Sequence, residues 1–282
     1  VASGGDERMS LIEYPDLEQR SPEWYEARCG IVTASAVGLL ISKEQPSPIE
    51  SACPDCGSSP KQFCVSKSRK DRAPVKTFHG LRVEAAGALP SRLVTANTDT
   101  SRGLILTLAS ERITGRVEET PTSFAMQRGV EEEPFARDEY AKHYGDVVEL
   151  GFMVRDDWGF RLGYSPDGLV GADGLIEIKS RAPKAQVRTV IEDEIPAANY
   201  AQLQCGLLVS GRDWIDYVSF SNGMHLWPRR VLPDQDWFNA ITDAAMAAEE
   251  AIRDIVTRYD LAAANLPATE RIPEIDLELK LA

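Results

Sequence analysis

The stretch from Gly163 to Arg181, G-Y-S-P-D-G-L-V-G-A-D-G-L-I-E-I-K-S-R, restricts the fold of this chain more than any other. Ser165, Pro166, Asp167 and Gly168 are turn formers, and Gly174 opens a short apolar run through Leu175, Ile176 and Ile178 that reads as a buried strand. Side chains alternate along a strand, so Glu177 and Lys179 share one face and Ile176 and Ile178 the other. One face is apolar; the other carries a carboxylate and an amine. Asp167, ten residues before Glu177, sits in a turn able to fold back and supply a second carboxylate.

Two carboxylates, with water and phosphate oxygens, suit Mg2+ or Mn2+, hard cations that take oxygen ligands and keep several waters. A lysine beside them orients or polarises an attacking water and balances charge in phosphodiester hydrolysis. The pattern therefore predicts a nuclease site of Asp167, Glu177 and Lys179. A bare E-x-K on a strand is also what a hairpin with a polar solvent face presents. The S-P-D turn, the D-G step before the strand and the carboxylate spacing weigh against that reading.

S-P-D-G at 165–168 followed by E-I-K at 177–179 resembles the active-site signature of the phage lambda exonuclease and YqaJ-type viral recombinase nucleases, within the restriction-endonuclease-like PD-(D/E)xK group. Three other segments match in order: R-C-G-I-V-T-A-S-A-V at 28–37, G-V-E-E-E-P at 129–134 and Y-A-Q-L-Q at 200–204, the last with its first glutamine one place early. The resemblance covers residues 20–42 and 100–258. It implies that Glu133 completes the metal shell, that Gln202 stands near the attacking water, and that Arg28 and Ser35 hold the 5'-phosphate of a DNA end. An arginine fork suits a terminal phosphate.

The resemblance further implies a 5'-to-3' exonuclease on double-stranded DNA ends that leaves single strand for a phage annealing protein during recombination. Relatives of this kind form trimeric rings around DNA. The implied fold is α/β, a restriction-endonuclease-like core with a five-stranded mixed sheet flanked by helices and an inserted small zinc-binding subdomain. Two alternatives stand beside it: a related nuclease of other polarity, and a DNA-end or fork binding protein acting through its insert. The intact D…E-x-K set counts against the latter.

Residues 43–98 have no counterpart in the minimal nuclease, and their composition turns abruptly to Pro, Ser, Lys and Cys. Cys53-Pro-Asp-Cys56-Gly is a tight knuckle, followed by Cys64 and, after a 14-residue gap, His79. Three thiolates and an imidazole form a closed tetrahedral Zn2+ set with no position left for substrate, hence a structural one. Three of the five cysteines crowd into twelve residues, which favours metal over disulfides, with free thiols or a redox pair as the alternative. The arrangement also resembles small single zinc fingers of phage and actinobacterial proteins. Cys29 and Cys205 read as small buried hydrophobes.

A net charge of −13 argues against a broad nucleic-acid face, because phosphate binding rests on Lys and Arg. Yet between residues 61 and 82 seven basic residues stand against the single acid Asp71. Lys67, Arg69, Lys70 and Arg72 within this run are candidate DNA contacts, or else a solvated loop. No apolar run spans a bilayer and no charged-then-apolar leader opens the chain, so the expected location is cytoplasmic, that of a bacterial host if phage-encoded.

The domain reading is an exonuclease domain over 10–282, an inserted subdomain at 50–84 and a tail at 260–282; residues 1–8 are set aside. Helices are expected at Ser21–Arg28, after Thr33 or Ser35, at Ser101–Thr114, Ser123–His143, Pro183–Glu194, Ala197–Val209 and Asp234–Tyr259. In the second long helix Phe124, Met126, Val130, Phe135, Tyr140 and Tyr144 are expected to form a core stripe, and Glu131 and Glu132 to face solvent. Val147–Arg155, Gly159–Tyr164 and Gly174–Lys179 read as a three-stranded meander, joined by strands at Trp214–Ser221 and Met224–Leu232.

Overall fold

The computed structural model describes residues 11–67, 72–117 and 123–270. Strand β1 (Leu11–Tyr14) leads into helix α1 (Pro22–Arg28), strand β2 (Val32–Thr33), the single turn α2 (Ala34–Val37) and a 3-10 turn at Gly38–Leu40. Ser21 caps α1 by accepting from Trp24 N, with Pro22 at the first helical position. Strands β3 (Ile41–Glu44) and β4 (Arg92–Thr95) then pair antiparallel, Ile41 opposite Thr95 and Glu44 opposite Arg92. Everything between them, including helix α3 (Gly80–Gly87), is insert.

The core resumes with α4 (Asp99–Thr114), which opens on a capping box between Thr98 and Ser101 and ends at a left-handed Gly115. Helix α5 (Phe124–Tyr144) follows, capped by Ser123. Then come β5 (Val147–Val148), β6 (Phe152–Arg155), β7 (Leu162–Tyr164), β8 (Gly168–Val170) and β9 (Gly174–Ser180). The chain continues through α6 (Pro183–Glu192), α7 (Tyr200–Ser210), β10 (Trp214–Phe220), β11 (Trp227–Val231) and α8 (Gln235–Ala263).

A five-stranded mixed sheet is present, in the order β11-β10-β9-β8-β5, with β9 and β10 parallel and the other neighbours antiparallel. Its membership differs from the expected meander. The run Val147–Arg155 breaks at Gly151, where a Cβ would lie 1.8 Å from the Leu17 carbonyl oxygen, and β6 and β7 join β1 and β2 in a second, four-stranded sheet. The place beside β9 is taken by β8, formed by Gly168 and the two residues after it. Gly168 fits there because a Cβ would fall 2.2 Å from a Val147 methyl carbon.

Helix α7 is almost wholly apolar and packs between the sheets, its Leu203, Cys205, Leu207 and Val209 meeting Met153, Leu162, Leu175, Ile215 and Tyr217 in the main core. Helices α2, α4 and α8 close that core from outside. On the opposite face of the five-stranded sheet, α5 covers Ile176, Ile178 and Val218 with Ala136 and Tyr140. The expected stripe on α5 is therefore narrower than its sequence suggests. Tyr140 is buried, whereas Phe124, Met126, Val130, Phe135 and Tyr144 are exposed, Phe124 at 93%. The stripe fails because the first turns of α5 border the cleft through Met126 and Val130, and in its second half only the face bearing Ala136 and Tyr140 meets the sheet, leaving Phe135 and Tyr144 exposed.

Candidate active site and metal centre

Strand alternation puts Glu177 and Lys179 on the α7 face of β9 together with Leu175, while Ile176 and Ile178 meet α5. Glu177 is 2% exposed and fully engaged. Its Oε1 accepts from Lys179 Nζ at 2.7 Å and from Gln202 Nε2 at 2.5 Å, and its Oε2 from Tyr164 OH at 3.3 Å. Lys179 Nζ also donates to Gln202 Oε1 at 3.0 Å, so Gln202 closes a ring with the acid and the amine. Helix α7 supplies that glutamine because residue 202 is the one position in its N-terminal turn that leaves the core and faces β9.

Asp167 folds back onto the strand as its place in the turn predicts, with Oδ2 accepting from Ile178 N at 2.6 Å. Burial first, then the charges of Glu177 and Glu133, push its carboxyl well above the ordinary aspartate range. Burial works against the Lys179 ammonium, yet Glu177 and Asp167 hold its pKa above the usual lysine value. Glu133 reaches the same place from α5. Arg137 donates to it at 2.7 Å and to the Asp167 carbonyl at 2.8 Å, and Arg20 lies 3.5 Å away. Asp167 and Glu177 thus share the single ammonium of Lys179, while Glu133 is paired with Arg137 and Arg20; three carboxylates bordering one cleft are an oxygen-ligand set that fits a divalent cation.

Asp167, Glu177, Lys179, Glu133 and Gln202 line one cleft of about 780 Å3 together with Arg28 and Ser35. Arg28 ends α1 over the Trp24 ring, 3.9 Å from its centroid, and donates to Ser165 Oγ at 3.1 Å and to Thr33 Oγ1 at 3.5 Å. Burial lowers its pKa to about 10, which leaves it charged at neutral pH. Ser35 Oγ lies 3.2 Å from Thr33 Oγ1. Ser165 was legible only as a turn former. Here it gathers Arg28 and Trp24, the latter donating at 3.0 Å, two residues before Asp167. Glu132, expected in solvent, instead accepts from Ser180 Oγ at 2.5 Å, and Ser180 accepts from Arg128 Nε at 3.0 Å.

In the insert, the ligand atoms of Cys53, Cys56, Cys64 and His79 lie within 4.8 Å of one another, with Cys53 Sγ 3.4 Å from His79 Nδ1. Such spacing suits a tetrahedral ion with bonds of about 2.0–2.3 Å. The set is braced by Arg82, fully buried, whose guanidinium donates to the carbonyls of Pro48, Ile49, Ser51, Ser59 and Gln62. Of the basic run, Lys67 pairs with Asp55, Arg72 donates to the Cys56 carbonyl at 2.6 Å, and Arg69 and Lys70 lie outside the described residues. Arg82 thus braces the knuckle from within, while Lys67 and Arg72 touch it from the exposed side. No helix among the described residues is long and apolar enough to cross a membrane. Cys205 is buried in α7, which pushes its thiol up to about 12, and Cys29 donates to the Glu111 carbonyl; neither faces the cleft.

The alkaline exonuclease LHK-Exo of Laribacter hongkongensis is similar in structure over 88% of this chain and 100% of its own, at 24% identity and a TM-score of 0.63. Its complex with dAMP matches over the same shares, at 23% identity and a TM-score of 0.60. At such identities the likeness is one of fold. No curated protein matches the sequence. The model of the YqaJ-like viral recombinase domain matches residues 23–213, from α1 through the insert, Asp167 and Glu177 to the end of α7. That span holds Arg28, Ser35, Glu133, Asp167, Glu177, Lys179 and Gln202 and more than half of the chain, which therefore belongs to the YqaJ-like viral recombinase family.

Proposed function

We propose that this protein is a divalent-metal-dependent DNA exonuclease that degrades one strand of a duplex end from 5' to 3'. The observation that carries the reading is the convergence of Asp167, Glu177 and Lys179 with Arg28 in one cleft. Asp167, Glu177 and Glu133 would hold Mg2+ or Mn2+, which when bound supplies an acidified water and Lewis-acid stabilisation of phosphodiester oxygens. Lys179 places its ammonium where negative charge develops on the scissile phosphate. Gln202 fixes Glu177 and Lys179 relative to each other and so sets the direction in which both point. At the other end of the cleft Arg28 takes the 5'-phosphate in a bidentate grip, helped by Ser35, Thr33 and Ser165.

The 5'-to-3' polarity is the one the family resemblance implies. A terminal 5'-phosphate anchored at Arg28 would leave the next phosphodiester facing the carboxylates, and cutting would proceed inward from the 5' end. The product is a single strand suited to an annealing protein in homologous recombination, and a ring-shaped trimer around DNA belongs to the same reading. The insert's Cys53, Cys56, Cys64 and His79 would hold one structural Zn2+. The test is a time course on linear duplexes with and without a 5'-phosphate, in Mg2+ or EDTA, beside Asp167→Ala. Mg2+-dependent loss of the phosphorylated strand, absent in the variant, is expected. Binding without any cleavage would replace the reading with a DNA-end binding protein.

A further inference from the structure

Gly30 stands between the two halves of the Arg28 pocket: Arg28 lies two residues before it, Thr33 and Ser35 three and five after. The chain turns there through a left-handed backbone, φ +64°, in which glycine is at ease and other residues are strained. Both sides of the turn are gripped by α4. Gly30 N donates to Glu111 Oε2 at 2.8 Å, Arg112 Nε donates to the Gly30 carbonyl at 2.9 Å, and Cys29 Sγ donates to the Glu111 carbonyl at 3.3 Å. A Cβ on Gly30 would lie 2.4 Å from Arg112 Cγ, so the turn rests directly on that side chain.

Arg112 is itself held from a third element. Its Nη1 and Nη2 donate to Glu249 Oε1 at 2.8 Å and Oε2 at 2.5 Å, a bidentate pair with α8. Glu249 also accepts from Arg253 Nε at 2.7 Å, and Arg253 donates to the Gly159 carbonyl at 3.0 Å. None of these four side chains lines the cleft. A relay that spends a bidentate ion pair to orient one arginine, and then uses that arginine to fix one peptide, is built for position.

We propose that Glu111, Arg112 and Glu249 are positioning residues for the end-phosphate pocket, α8 holding Arg112 so that the Gly30 turn sets the spacing between Arg28 and the Thr33–Ser35 hydroxyls. This rests on the proposed reading of Arg28 as the 5'-phosphate ligand. Loss of the clamp lets the two halves drift while Glu177 on β9 and Asp167 beside it stay in place. The defect therefore falls on recognition of the phosphate, and misplacement of about 1 Å costs on the order of a hundredfold where orientation matters.

The experiment measures KM and kcat on duplexes with 5'-phosphate and 5'-hydroxyl ends for the full chain, Arg28→Ala, Glu249→Ala, Arg112→Lys, and Ile252→Val as a core substitution on the same helix. Arg112→Lys serves even if Glu249→Ala does not fold, since lysine keeps the charge but cannot reach glycine carbonyl and carboxylate together. The expected result is a rise of about tenfold or more in KM for phosphorylated ends in both clamp variants, a much smaller change in kcat, and a preference retained in Ile252→Val. A preference lost in Arg28→Ala but intact in the clamp variants overturns the clamp alone. Equal loss in Ile252→Val reduces the clamp to general stability and also overturns it. Absence of any 5'-phosphate preference in the unaltered protein, or its persistence in Arg28→Ala, overturns the pocket reading itself.

Discussion

Arg28 donates to Ser165 Oγ at 3.1 Å across 137 residues of sequence. Ser165 is two residues from Asp167, so one short turn ties Arg28 to the carboxylate that folds back on β9. Their spacing is thereby set by the Ser165–Asp167 backbone, which Arg137 and Gln19 pin by donating to the carbonyls of Asp167 and Pro166.

Ser165→Ala leaves Arg28 and Trp24 without their shared acceptor. The expected outcome is a rise in KM for 5'-phosphorylated ends of about five- to tenfold, the worth of one hydrogen bond near 1 kcal/mol. Ends bearing a hydroxyl should change little. Steady-state kinetics on the two substrates checks this.

Lys179→Ala is expected to reduce cleavage by at least about a hundredfold while DNA binding, read by anisotropy in Ca2+, survives. It also leaves Glu177 buried without its cation. Removing one member of a buried pair costs about 3–5 kcal/mol, with the lower end apt because the Lys179 side chain is 28% exposed. Mg2+ should restore part of the lost Tm, because a bound cation answers the same uncompensated charge.

Arg82→Ala should release metal from the insert. Its guanidinium satisfies five loop carbonyls around the knuckle, and none of those loops has a core of its own to fall back on. Elemental analysis of the unaltered protein is expected to return about one Zn2+ per chain. The variant should lose zinc to a weak chelator far faster and yet keep the melting transition of the nuclease core.

Arg112 first, through its hydrogen bonds, holds the Glu249 carboxyl below the usual glutamate range. A folded pKa below the unfolded one means that the pair stabilises at neutral pH and that this stability is lost as pH falls through the folded value. Glu249→Gln should therefore lower Tm at pH 7 and converge with the unaltered protein under acid. Melting curves across pH 3–7, a window set by the glutamate reference of about 4.3, give the comparison.

The placement of side chains around β9 was legible because it rests on a two-residue period and on a turn that brings Asp167 back to the strand. Some helix ends were legible for a similar reason: Ser21 and Gly115 act through local geometry, whereas α4 begins at Asp99 under a Thr98 cap and not at the expected Ser101. Strand pairing was not, since β8 is three residues long and alternation names a strand without naming its neighbour. The charge count of the basic run included Arg82, and sequence could not show that this arginine lies wholly inside the knuckle. Likewise the apolar residues of α5 have helical spacing, but only the face carrying Ala136 and Tyr140 is buried against the sheet. The Gly30 clamp joins residues 30, 112 and 249, and no local signal marks such a set.

The β3–β4 stem, with Glu44 opposite Arg92, brings the two ends of the insert to within the width of one strand pair, about 5 Å. To the nuclease core, then, 47 intervening residues look like a hairpin loop, whatever they contain. In geometric terms the insert is a cassette in a socket: both of its ends leave the fold at the β3–β4 pair, so the chain enters and exits it at one place and the elements on either side join as across a tight turn.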